Sequence, residues 1–500
     1  MSGSAQSQQY PLTNDLVLIV PGIMGSKLVD QATGKTIWGL DFKLFWQALT
    51  SPGSLTDRLA PRDEELAGDR RRVRATGLIE GPAWLSCFGF TRPYTDLVQG
   101  LRDNGVEAVE SFPYDWRLDV EGTARQLAAH ISARLAEWRN DPRQQAIHQQ
   151  LPDNPPAGVI LVAHSMGGLV VRALLRLIAA EEVEGGSAGA RQLSQSIHGL
   201  AYLGVPLRGS AQAVWAATGR YTDFISDSKG LPDLVASRLS GLATAAARMP
   251  GVYDLLPDYP ALREGETFTR LPPDRLTGWG ADPALLDAAL RRHQADAAMT
   301  PGAILQRFDH LILTKVVGHW QPTVTSVELG SAGQPQPSQT RYRVVSGQAV
   351  GPVASDGDGT VPRLPGDDQD GEQTVPVRQR HNSLQNQEVT WDQIIGLAEN
   401  QYRQSITLGA ATEAAIGLDP PDLALVGQPV QVEATGLDNL RTAWRMTHLE
   451  TGLEAPLDRR EWLDDGRAAA WFKPTLPGLY RIELGDRPAV QELIGVVSDA

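Results

Sequence analysis

The sequence predicts a mixed α/β body built on a parallel sheet, with a helical insertion capping it and a β-sandwich appended towards the C-terminus. Three observations carry this. From Leu16 onward, short apolar runs alternate with stretches of helical periodicity, as strands joined by crossover helices do. Between about residues 211 and 308 the pattern becomes rich in Ala, Leu, Arg and Asp and is broken by prolines, as a helical cap would be. Beyond residue 420, short alternating segments follow one another between turn residues, the pattern of a sandwich. A chain of 500 residues is also too long for one simple core.

The elements follow in order. Leu16–Val20 (LVLIV) is an apolar β-branched run ended by Pro21-Gly22, which reads as a buried strand. Val106–Glu110 follows Asn104-Gly105 and reads as a second strand. Ala124, Leu127, Ala128, Ile131, Leu135 and Trp138 recur at helical spacing. Gly158–Val162 (GVILV) is a third strand. It feeds a tight turn around Ser165, and Gly167–Ala180 then reads as a buried helix. "GLAYLGVP", "LILTKVVG" and "YRVVSG" are later strand candidates. Residues 1–405 are thus expected to form the α/β body with its cap at about 211–308, and 406–420 a small-residue linker. Residues 421–500 are expected to form an immunoglobulin-like domain from "PVQVEATG", "TAWRMTH", "AAAWFKP", "GLYRIELG" and "ELIGVV". A cut after about Ser405 is expected to leave an independent core.

Composition narrows the function. The formal net charge is −14 without a basic stripe, which argues against nucleic acid as a partner and against electrostatic attraction to anionic membranes. A single cysteine, Cys87, excludes an internal disulfide. Nine histidines occur without HExxH or paired spacing, so no metal and no cofactor is expected. The start, "MSGSAQSQQYPLTND", lacks a charged segment followed by an apolar one, and no apolar run reaches the roughly 18 residues of a membrane span. The expectation is a cytoplasmic protein; export by a route without a cleaved signal stays open.

The chemistry is written around Ser165. A serine hydroxyl needs a base, a group that orients the base, and donors for the oxyanion. Ala163-His164-Ser165-Met166-Gly167 fits the nucleophile elbow of α/β-hydrolases, G-x-S-x-G between a strand and a helix, with alanine for the first small residue. His164 adjoins the nucleophile and leaves the elbow in another direction, so it is not the expected base. In this fold the order is serine, acid, histidine. "SDGDGTVP" offers Asp356 and Asp358, and "RHNSL" offers His381. The acidic turn is not an EF-hand loop, because Val361 stands where glycine is required. Asp358 is the expected acid and Asp356 a turn cap. The oxyanion donors are expected to be the Met166 amide and one from "VPGIMGS", Ile23 before Met24.

"LVLIVPGIMGSKL", "TIWG", "SFPYDWRL", "VAHSMGGLVVR", "LGVPLRGS" and "DGDGTVP" followed by a histidine resemble the lecithin:cholesterol acyltransferase family, which includes lysosomal phospholipase A2 and phospholipid:diacylglycerol acyltransferases. The resemblance covers roughly Leu16 to Ser405. It implies an α/β-hydrolase acting on ester lipids, with Ser165, Asp358 and His381 as triad and Ile23 and Met166 as oxyanion donors. It also makes Tyr114, Asp115, Trp116 and Arg117 a supporting shell, with Asp115 and Arg117 paired near Trp116. Well-known members carry disulfides, one closing a lid loop, whereas this chain has one cysteine.

The expected activity is therefore serine-dependent hydrolysis or transfer of a long-chain acyl group. Trp38, Phe42, Phe45 and Trp46 in "TIWGLDFKLFWQAL" are the candidates for touching substrate. Such a stripe is commonly core; its other role is a transient contact with a membrane or lipid aggregate, which would rest on apolar burial. Two rivals are a hydrolase of small non-lipid esters and an interaction protein whose β domain binds a protein partner of unknown identity.

Overall fold

The computed structural model describes residues 12–39, 58–79, 94–152, 154–224, 240–298, 308, 310–345, 348–364, 373–399, 417–421, 423–435, 437, 442–464, 467–485 and 490–498. Six strands form the central sheet: β1 (Leu16–Val20), β2 (Val109–Ser111), β3 (Val159–His164), β4 (Ile197–Leu203), β5 (Ile312–Gly318) and β6 (Gln373–Val377). All five pairings are parallel, in the order β2-β1-β3-β4-β5-β6. β1 and β3 are buried at every position, which is why they read as continuous apolar runs.

Alternate side chains serve two cores. Leu18, Val20 and Leu161 pack with the helices α1 (Val120–Arg139) and α2 (Met166–Ala179). Val17, Ile19 and Val162 pack on the other face with helices Thr95–Asp103 and Glu388–Ala398. Strand addition reverses at β1: β2 lies on one side of it, and every later strand on the other. In an open α/β sheet that reversal leaves a crevice at the carboxyl ends of the strands. The turn after β1 and the corner after β3 face each other across it.

The cap is helical in the main, ending in helix α3 (Pro283–Ala298). Ion pairs tie α3 back to the body. Asp296 meets Arg172 at 2.7 Å and Arg176 at 2.9 Å, both on α2; within the cap, Arg292 meets Asp254 at 2.6 Å. One feature exceeds the expectation. The hairpin Leu262–Glu264 and Thr267–Thr269 joins strands Ser326–Leu329, Pro335–Ser338, Thr340–Val345 and Gln348–Ala354 in a second six-stranded sheet. Tyr342–Val345 of "YRVVSG" accordingly lie in that sheet and not in the central one.

The C-terminal strands form two four-stranded sheets. One holds Gly417–Asp419, Val430–Thr435, Arg467–Phe472 and Leu457–Asp464; the other holds Leu423–Leu425, Val490–Val497, Gly478–Leu484 and Trp444–His448. Val432, Ala470, Phe472, Met446, Ile482 and Ile494 meet between them. The Tyr480 hydroxyl bonds back to the Leu476 backbone, at 3.1 Å from the amide and 3.2 Å from the carbonyl, as in the tyrosine corner of immunoglobulin-like domains. The first strand, Gly417–Asp419, falls inside the stretch expected to be linker.

Candidate active site

Ser165 turns the corner between β3 and α2 with φ 52° and ψ −130°. A side chain adopts such a backbone only where its surroundings hold it there. Here the Ser165 amide donates to the Leu203 carbonyl at 3.0 Å, and the Ser165 carbonyl accepts from the Gly168 amide at 2.9 Å. Gly167 is set by close approach: a Cβ there would stand 2.4 Å from the Val20 carbonyl oxygen. Ala163 is fully buried, consistent with the demand for a small residue at that position.

The structure brings Ser165, His381 and Asp358 together. His381 Nε2 lies 2.8 Å from Ser165 Oγ, and His381 Nδ1 lies 2.7 Å from Asp358 Oδ2. All three are buried. The other carboxylate oxygen of Asp358 accepts the Thr360 and Val361 amides at 2.9 and 2.6 Å, and the His381 amide donates to the Asp358 carbonyl at 2.8 Å. The acid loop and the histidine loop are therefore stitched to each other before either meets the serine. Gly204, at φ +55°, leaves room for this pair. A Cβ there would stand 3.0 Å from His381 Nδ1 and 3.1 Å from Asp358 Oδ2.

Asp356 is turned elsewhere. It accepts the Trp320 amide at 2.8 Å and stands 3.3 Å from His319 Nδ1. Burial raises its pKa, but the His319 contact and the Trp320 amide outweigh that and hold it below the usual carboxylate range.

His164 is used without being a base. Its Nδ1 lies 3.0 Å from the Tyr94 hydroxyl, and its Nε2 lies 3.2 Å from the His381 carbonyl oxygen. The Gly22 amide donates to the same Tyr94 oxygen at 3.0 Å. A carbonyl can only accept, so Nε2 carries the proton, and the Tyr94 hydroxyl donates to Nδ1. Burial, aided by neighbouring His381, pushes the His164 pKa down to about 3, so the ring is neutral.

Met166 is the first residue of α2, where an amide has no intrahelical partner. In the turn after β1, the Gly22 amide goes to Tyr94 and the Gly25 amide to the Gly22 carbonyl, which leaves those of Ile23 and Met24. Ile23 and Met24 line the same cavity as Ser165. That cavity, about 200 Å³, is lined by the polar side chains of Ser165, His381, Gln212 and Arg380, among others, and by the apolar side chains of Phe224, Leu242, Ala246, Met249 and Leu255 from the cap. Among the described residues, no group of three or more His, Cys, Asp or Glu could hold a metal ion, and no helix is long and apolar enough to cross a membrane.

Of the expected substrate contacts, Trp38 lies behind the cavity wall. Its indole nitrogen donates to the Met24 carbonyl at 2.9 Å, and its ring meets Trp116 edge-on at 5.4 Å. Trp116 itself lines the cavity. Phe42, Phe45 and Trp46 lie outside the described residues. The expected Asp115–Arg117 pair is present at 2.6 Å, and Glu65 adds a second carboxylate to the buried guanidinium, also at 2.6 Å.

Sequence reasoning passed over three residues at this site, Tyr94, Arg380 and Glu492, and left His164 without a role. Tyr94 carries no local signal. His164 was visible in the elbow but had no partner to suggest its role. Arg380 and Glu492, paired at 2.6 Å, line the cavity from the histidine loop and from the C-terminal sandwich. Glu492 did leave a trace: it occupies an inward position in the alternating strand Val490–Val497, where a carboxylate is out of place.

Residues 69–270 match the family model of lecithin:cholesterol acyltransferase. Over this segment the match bears out the resemblance read from the motifs, and it supports a hydrolase or acyltransferase. A 179-residue stretch is 27% identical to an uncharacterized protein of Saccharomyces cerevisiae, covering 35% of this chain and 23% of that protein's length. Two solved structures are similar over most of the chain. The Tle4–Tli4 complex covers 77% of this chain and 98% of its own, at 16% identity and a TM-score of 0.45. Bacillus licheniformis lipase BlEst2 in its mature form covers 79% and 96%, at 15% identity and a TM-score of 0.32.

Proposed function

We propose that the protein is a serine-dependent acyl hydrolase of long-chain ester lipids. The observation that carries this reading is the hydrogen-bonded series Ser165–His381–Asp358 in a cavity also lined by apolar side chains of the cap. In this reading Ser165 Oγ attacks the ester carbonyl carbon while His381 Nε2 takes its proton. Asp358 keeps the imidazole proton on Nδ1 and stabilises the imidazolium that forms. The amides of Met166 and Ile23 receive the oxyanion. Collapse of the tetrahedral intermediate breaks the bond to the alcohol, which leaves with the proton from His381. Water, or an acceptor alcohol, then attacks the acyl group on Ser165 with His381 again as base. Collapse of this second tetrahedral intermediate breaks the acyl–Oγ bond, Ser165 takes back the proton from His381, and the fatty acid or new ester leaves.

The apolar lining from Phe224, Leu242, Met249 and Leu255 suits an acyl chain, whose burial is worth about 0.8 kcal/mol per CH₂. The test is labelling by a fluorophosphonate probe, together with initial rates on acetate and palmitate esters. The reading expects labelling that Ser165→Ala abolishes, and faster turnover of the long chain. Labelling that survives Ser165→Ala overturns the nucleophile; preference for acetate overturns the lipid.

A further inference from the structure

The C-terminal sandwich reaches the active site through one buried ion pair. Arg380 immediately precedes His381. Its Nε lies 2.6 Å from Glu492 Oε2, and the two side chains are only 7% and 8% exposed. Its Nη1 donates to the Leu418 carbonyl and stands 3.5 Å from Asp419 Oδ1. These partners come from both sheets of the sandwich. On its other flank the guanidinium packs on the acid loop, where a Cβ at Gly359 would stand 3.0 Å from Nη2. A second tie runs the same way. The Leu418 amide donates to Gln321 Oε1 at 3.2 Å, and the Gln321 amide donates to the Gly357 carbonyl at 3.1 Å. The sandwich thus touches the residue next to the candidate base directly, and reaches the residue next to the candidate acid through Gln321. Arg380 and Glu492 also form part of the cavity wall.

We propose that the sandwich is a working part of the active site: Glu492 holds Arg380, and so fixes the loop that sets His381 against Ser165. Arg380 and Glu492 are positioning residues. The proposal rests on the serine-hydrolase reading given above. A peptide bond joins Arg380 to His381, so a shift of the guanidinium moves the imidazole. Removing one member of a buried ion pair leaves an uncompensated charge, which relaxes by moving toward water. A misplacement of about 1 Å at a reacting group costs on the order of 10²-fold in rate. A bridge that merely docks two domains would lie away from the cavity and would change stability alone. The charged or titratable groups around His381 are Asp358, the neutral pair His164 and Tyr94, and Arg380 with Glu492 and Asp419.

The test uses the full chain with Glu492→Gln, which keeps the shape and removes the charge, and Glu492→Asp, which keeps the charge. Thermal unfolding, ester kinetics and the NMR titration of the His381 ring are followed together. In Glu492→Gln the guanidinium loses its closest carboxylate beside His381, keeping the longer contact to Asp419, and disfavours the imidazolium. The ring should therefore titrate at lower pH than in the parent. On the same variant kcat should fall by about 10- to 100-fold, with KM for a short ester changed far less. Glu492→Asp, which keeps the charge but stops one methylene short of Arg380, should fall between Glu492→Gln and the parent in both. A lowered unfolding temperature with unmoved His381 titration and kcat would reduce the contact to domain docking and overturn the proposal. The titration reads the pair even if the parent cleaves no ester, so failure of the serine-hydrolase reading is seen separately. Should Glu492→Gln not fold, Glu492→Asp carries the test: a parent-like titration and kcat there, despite a pair lengthened by one methylene, would overturn the proposal.

Discussion

The Tyr94 hydroxyl sits between the Gly22 amide and His164 Nδ1, 3.0 Å from each, and joins the turn after β1 to the ring beside the candidate nucleophile. Tyr94→Phe removes one oxygen and strands two buried polar groups. Each such group costs about 1–3 kcal/mol. We expect a urea unfolding midpoint lowered accordingly, and slower fluorophosphonate labelling, because the turn that offers the Ile23 amide loses its anchor. Labelling at the parent rate in a destabilised variant would show that the hydroxyl serves packing only.

His164 makes stability depend on pH in a definite direction. Its folded pKa, about 3, lies below the unfolded value of 6.5, because burial penalises the charged ring. Between these values the unfolded chain holds the extra proton. The contribution is fully present above pH 6.5 and is lost as pH falls towards 3, at up to about 1.4 kcal/mol per unit. Denaturant midpoints between pH 7 and 5 should fall more steeply for the parent than for His164→Gln. Equal slopes would mean that the ring is hydrated and titrates normally.

The two aspartates of "DGDGT" should separate cleanly. Asp358→Asn leaves the shape of the loop but presents a donor to His381 Nδ1 and so favours the wrong tautomer. The analogous change in a serine protease costs about 10⁴ in kcat. Asp356→Asn disturbs contacts to Trp320, His319 and Arg363, none of them a member of the candidate triad, and should cost less than about 10-fold. Steady-state kinetics of the two variants decide the matter, and the reverse ranking would move the acid to Asp356.

Partitioning of the acyl group is the fourth expectation. Water is present at full solvent concentration, so transfer wins only where an acceptor is bound and oriented, at effective molarities of about 10⁵ M or more. The described cavity is lined by both apolar and polar side chains. We expect free fatty acid as the main product from a labelled phospholipid, and minor new ester on adding a long-chain alcohol. Mainly new ester at unchanged total turnover would make the protein an acyltransferase first.

What was legible in the sequence was local. The elbow could be read because strand, small-residue corner and buried helix are contiguous from Val159 to Ala179. The sandwich strands could be read because their alternation is local too, as in Val430–Thr435, where buried and exposed positions take turns. What escaped depends on pairing across long stretches of chain. No periodicity tells Leu262–Glu264 that its neighbour is Ser326–Leu329. Gly417–Asp419 looked like linker because it is three residues long and stands before Pro420-Pro421. The Arg380–Glu492 pair spans two domains, and only the out-of-place carboxylate hinted at it.

The order of strands has a consequence for how the protein comes into being on the ribosome. From β3 onward each new strand of the central sheet is laid outside the last, β4, β5 and then β6. Chains fold from the N-terminal end as they emerge. The corner that presents Ser165 can close once β1, β3 and β4 are made. Asp358 and His381 arrive only around the final strand of the sheet, and Glu492 later still. A half-synthesised chain therefore exposes a serine with neither base nor acid beside it. On the proposed reading, the candidate nucleophile stays unactivated until the edge of the sheet has been laid down.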